Sequence, residues 1–83
     1  MNATAIYSGL LFSTSEINAN FRIKVNYINE NGKKVNTLVG VYGLIKLIGM
    51  EFVNKFLTKA FNGKDDKLVC KLRRGIRVSF YVK

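Results

Sequence analysis

Read at every second residue, four segments of this chain separate into two chemically opposite sets. One set is cationic and polar: Arg22, Lys24, Asn26, Lys34, Asn36, Lys71, Arg73, Arg77, Ser79, Tyr81 and Lys83. Its complement is apolar, with Phe21, Ile23, Val25 and Tyr27, then Val35 and Val39 about Thr37, then Leu68, Cys70 and Leu72, then Ile76, Val78, Phe80 and Val82. The chemistry open to the first set is anion recognition. Arg and Lys attract phosphate whatever the base sequence, and Arg73, Arg74 and Arg77 can grip a phosphate through paired N–H groups where Lys offers a point charge. Tyr81 lies among these cations and can stack on an unpaired base, while Asn26, Asn36 and Ser79 supply hydrogen bonds.

The acids fall elsewhere. Glu16, Glu30, Glu51, Asp65 and Asp66 are all placed in turns or in the helical stretch. A generic soluble surface interleaves both signs, so a cationic set with no acid points to an anionic partner. Fourteen Lys and Arg against five acids, a net charge of +9, agree with that. Nucleic acid is the leading expectation, and an acidic protein bound by an interaction module or small inhibitor is the alternative. Lys46, Lys55 and Lys59 border a broad apolar stripe of membrane-surface type, but the strands need the same stripe to cover their apolar sides.

Catalysis has little to draw on. The chain has no His and one Cys, which excludes a Cys–His pair, a Ser–His–Asp arrangement and the usual zinc sites. Asp65-Asp66, held between Lys64 and Lys67, reads as a solvated turn rather than a metal pair. Gly40-Val41-Tyr42-Gly43 has the GxxG spacing of a nucleotide clamp but no basic residue inside it, and Gly63-Lys64 lacks the other parts of a phosphate loop. A non-enzymatic protein without metal or cofactor is expected. Cys70, in the apolar phase of a strand, is expected to be a buried filler in a reducing compartment. No basic segment precedes the apolar Leu10-Leu11-Phe12, and Lys46 and Glu51 interrupt the longest apolar run. The expected location is therefore cytoplasmic.

The elements that must position these residues follow from periodicity. Residues 5–13 read as a weak first strand and residues 13–20, with Ser-Thr-Ser-Glu, as a connecting loop. Residues 21–28 and 33–39 are strands joined by Asn29-Glu30-Asn31-Gly32, a hairpin signal because Asn and Gly tolerate positive φ. From residue 41 to about 61 the apolar period lengthens to that of a helix, with Gly40 as its cap and Asn62-Gly63 as its stop. Residues 68–73 and 76–82 make a second hairpin about Arg74-Gly75. The expectation is one α+β domain over residues 1–83. It is an antiparallel sheet of about five strands (β-β-β-α-β-β) with a single amphipathic helix on its apolar face, as monomer or homodimer.

Overall fold

The computed structural model describes residues 9–83. Its elements are α1 (Thr14–Asn20), β1 (Phe21–Ile28), β2 (Lys34–Val39), α2 (Val41–Ile48), α3 (Met50–Asn62), β3 (Lys67–Lys71), a 3₁₀ turn (Arg73–Gly75) and β4 (Arg77–Val82). The class is α+β, and every strand pairing is antiparallel, in the order β2-β1-β4-β3. Among the described residues there are four strands and three α-helices, where the sequence suggests about five strands and one helix for the whole chain. Part of the expected first strand, residues 5–8, lies outside the described residues, and residues 9–13 form turns and bends.

Where a loop was expected, α1 forms, because Ser13 caps it. The Ser13 Oγ accepts the Glu16 N–H at 3.1 Å, which satisfies a donor that the first helical turn leaves open. The long helix is in fact two. Gly49 adopts φ 92°, ψ 154°, a conformation available essentially to glycine alone, so the chain bends there. The first hairpin forms as expected: Gly32 stands at φ 80°, and the Asn29 carbonyl accepts the Gly32 N–H at 3.0 Å. Asn29 Oδ1 also accepts the N–H groups of Asn31 and Lys33. Gly63 does follow the last helix, yet not in the left-handed form. Its backbone is extended, and a Cβ there would stand 3.2 Å from the Lys59 carbonyl oxygen, so glycine serves close approach.

The apolar strand set faces the helices. Phe21, Ile23, Val25, Cys70, Val78 and Phe80 are buried with Ile17 of α1, Val41 and Leu44 of α2, and Val53, Phe56 and Leu57 of α3. Burying an aliphatic or aromatic side chain contributes about 1.5–3 kcal/mol relative to exposure, so this one layer of contacts dominates stability. Phe12 stacks on Phe61 at 4.5 Å, and Phe21 meets the same ring edge-on at 4.9 Å. Asn54 anchors the chain before α1, donating to the Gly9 carbonyl at 2.8 Å and accepting the Leu11 N–H at 2.9 Å. Leu11 itself is 71% exposed and takes no place in the core. Burial raises the Cys70 thiol pKa above its ordinary value, with Lys59 opposing the shift.

Candidate nucleic-acid interface

The three α-helices of the described residues lie on one side of the sheet, and none of them covers its other side. Strand register then determines which side chains meet there, because residues paired across antiparallel strands share a face. One row runs Arg22, Tyr81, Lys67 across β1, β4 and β3. The next runs Leu38, Lys24, Ser79, Val69 across all four strands. A third runs Asn36, Asn26, Arg77, Lys71, and Lys34 pairs with Ile28 beyond it. Neighbours within a row are about 4.8 Å apart and neighbouring rows about 6.7 Å apart, so the open face is a compact lattice of cations.

Six of the eight residues marked out in the sequence therefore share this face: Arg22, Lys24, Lys34, Lys71, Arg77 and Tyr81. No Asp or Glu occupies any of its paired positions. Arg73 and Arg74 are not brought into the lattice. They form the tip of the β3–β4 hairpin, where Arg73 borders a groove made with Leu47, Ile48 and Phe52 of the helical layer. Arg74 stands at φ 65°, in the left-handed region that costs a non-glycine residue about 1–2 kcal/mol.

Three features of the face escape a reading by charge. Lys67, which the sequence places both at the end of a charged turn and on the cationic stripe with Lys71, is the first residue of β3, and its Nζ lies 5.2 Å from the centre of the Tyr81 ring. That cation holds one aromatic face, so Tyr81 is a partnered residue rather than an open stacking platform. Ile28, Leu38 and Val69 also point outward, with Leu38 63% exposed. Their phase in the alternation, shared with Lys24 and Lys71, is the signal that identifies them. Finally, Asn26 Oδ1 is buried in the lattice without a hydrogen-bond partner. It borders a shallow depression whose lining includes Ile28, Lys34, Asn36 and Arg77. A buried acceptor without a donor costs about 1–3 kcal/mol, so a ligand N–H placed there has something to gain.

Chemically, the face offers diffuse cationic attraction, exposed aliphatic side chains between the charges, and one unsatisfied amide acceptor. Among the described residues no group of three His, Cys, Asp or Glu could hold a metal ion. No helix among them is long and apolar enough to cross a membrane. Compared with known proteins, the chain matches no family model, no curated protein and no solved structure.

Proposed function

We propose that this protein is a non-enzymatic nucleic-acid-binding protein that lays single-stranded nucleic acid across the open sheet face. The observation that carries the reading is the acid-free lattice of Arg22, Lys24, Lys34, Lys67, Lys71 and Arg77. Single strands are favoured over duplex for two reasons. Four strands span about 14 Å between the outermost backbones, wider than the roughly 12 Å major groove that admits a helix or a two-stranded ribbon. The exposed Ile28, Leu38 and Val69 gain from contact with unstacked bases, which a duplex keeps inside its stack. In this arrangement the Lys and Arg side chains hold phosphates, the aliphatic side chains support bases, and Asn26 and Asn36 meet polar base edges. Arg73 and Arg74 extend the cationic field at the hairpin tip.

The test is fluorescence anisotropy of labelled single-stranded DNA, single-stranded RNA and duplex DNA across a salt series, with a Lys24→Glu/Arg77→Glu variant. If about five phosphates are neutralised, log K against log salt falls with a slope near −3.5 on single strands. The variant is expected to lose binding while keeping its circular dichroism spectrum. Binding that ignores salt, or none at moderate salt, overturns the reading and leaves an acidic protein as the partner to seek by pull-down.

A further inference from the structure

The two edges of the sheet differ, and hydrogen bonds at the strand ends reveal how. In an antiparallel pair, residues alternate between those that bond to the partner strand and those whose N–H and C=O turn away. The Asn29 N–H donates to the Lys33 carbonyl at 2.9 Å, so by alternation Val35, Thr37 and Val39 bond to β1. Lys34, Asn36 and Leu38 therefore turn their backbone groups outward. On the other edge, the Leu72 N–H donates to the Ile76 carbonyl at 2.8 Å and the Val82 N–H to the Asp66 carbonyl at 2.9 Å. Lys67, Val69 and Lys71 are the outward residues there. An outward edge is a template for another strand, and flanking Lys residues are a common way of blocking it. The β3 edge carries Lys at both ends, whereas β2 carries Lys34 alone, leaving Asn36, Thr37, Leu38 and Val39 uncharged.

We propose that β2 pairs antiparallel with β2 of a second copy, about a two-fold axis at Thr37, joining two sheets into one of eight strands. Outward groups must meet outward groups, which restricts the registers, and the Thr37-centred one suits the sequence best. It sets Thr37 against Thr37, Val35 against Val39 and Asn36 against Leu38, so a hydroxyl pair and two β-branched pairs face each other across the seam. It also sets Lys34 opposite Gly40, which separates the two Lys34 residues by about 20 Å, beyond the ~8 Å screening length at physiological salt. Centring on Asn36 instead keeps the lysines, at about 13 Å, beyond that length as well, but loses the Val35–Val39 pairs. A strand partner of other sequence offers none of this self-complementarity.

A six-residue seam is smaller than the roughly 1,200–2,000 Å² of a standard stable interface, so the dimer is weak and depends on concentration. Each copy carries +9, so added salt strengthens the dimer, opposite in sign to its effect on nucleic-acid binding. The two readings therefore succeed or fail separately.

The experiment is sedimentation equilibrium from micromolar to millimolar protein at low and high salt, with oxidative cross-linking of Thr37→Cys and Lys34→Cys. Thr37 faces its copy in a non-bonded pair with Cα atoms about 4.5 Å apart, within disulfide range. Thr37→Cys is expected to form a covalent dimer and Lys34→Cys to remain monomeric. Asn36→Pro removes an outward donor that β1 does not use, and is expected to abolish self-association while keeping the monomer's spectrum. A monomer throughout the concentration range, or equal cross-linking at both positions, overturns the proposal.

Discussion

Replacing Gly43 and Gly49 separately by Ala should change stability in opposite directions, although both lie in the stretch whose periodicity reads as one helix. Gly43 is interior to α2 with an ordinary helical backbone, and a Cβ added to it meets only Val39 Cβ at 3.8 Å, a normal contact. Removing the entropy cost of a helical glycine is worth about 0.5–1 kcal/mol, so Gly43→Ala is stabilising. At Gly49 a Cβ meets nothing within 4 Å, so crowding plays no part there. The cost lies in the backbone, because φ 92°, ψ 154° is held by other residues only at about 1–3 kcal/mol. Straightening the bend is no escape. It would lift α3 from the sheet and expose Val53, Phe56 and Leu57. At about 4–8 °C per kcal/mol for a domain of this size, Gly43→Ala raises Tm by about 2–8 °C and Gly49→Ala lowers it by about 4–24 °C. Thermal melts and urea titrations followed by circular dichroism measure both, and nucleic-acid binding at 25 °C should be unchanged because neither residue faces the open side. A Gly49→Ala variant as stable as the parent would refute this account of the bend.

Three further outcomes are expected. Asn26→Val removes the unpartnered acceptor, so urea titration should show about 1 kcal/mol of added stability, with single-strand affinity falling roughly two- to tenfold. An affinity equal to the parent's would remove Asn26 from the interface. Arg74→Gly relieves the left-handed backbone and should stabilise by about 0.5–1 kcal/mol, and a loss of stability would mean the Arg74 side chain makes an offsetting contact. Cys70 should resist thiol reagents in the folded state. Because its folded pKa is raised, the unfolded chain releases this proton first. Cys70's contribution to stability is therefore complete below about pH 8.5 and declines as pH rises through the higher folded value. A Cys70→Val variant should lack that part of the decline, measurable as the difference between two stability profiles.

Much of the open face was legible because β1 and β4 alternate cleanly, and alternation alone assigns Arg22, Lys24, Arg77 and Tyr81 to one side. Leu38 and Val69 obey the same alternation but are easily overlooked when a face is defined by charge. Lys67 reads both as the close of a charged turn with Asp65 and Asp66 and as a continuation of the cationic stripe toward Lys71, and its pairing with Tyr81 bears out the second reading. The α1 helix was missed for a different reason. Ser13-Thr14-Ser15-Glu16 is polar enough to resemble a loop, yet Ser followed by Glu three residues later is a helix-start pattern, and Ile17 is the apolar residue it buries. The break at Gly49 could not be read from periodicity, since apolar residues continue on both sides of it and only backbone angles distinguish a tolerated glycine from a required one. Phe52 shows the cost of that ambiguity: counted in a continuous stripe it belongs inside, but after the bend it is 44% exposed.

The seam between β1 and β4 couples possession of the face to completion of the fold. Each hairpin is local in sequence, but Phe21 pairs with Val82 and Arg22 with Tyr81, residues about sixty positions apart. Such distant pairing carries a loop-closure cost before any contact rewards it. Until it forms, Lys24 and Ser79 belong to separate hairpins and the cationic lattice exists only as two halves. A polyanion spanning both halves would act as a clasp, holding the hairpins together and stabilising the domain by an amount that grows, well above Kd, with the logarithm of the ligand's free concentration. Opening of that seam would in turn release the ligand, so the lifetime of the complex cannot exceed the time for which the two hairpins stay joined.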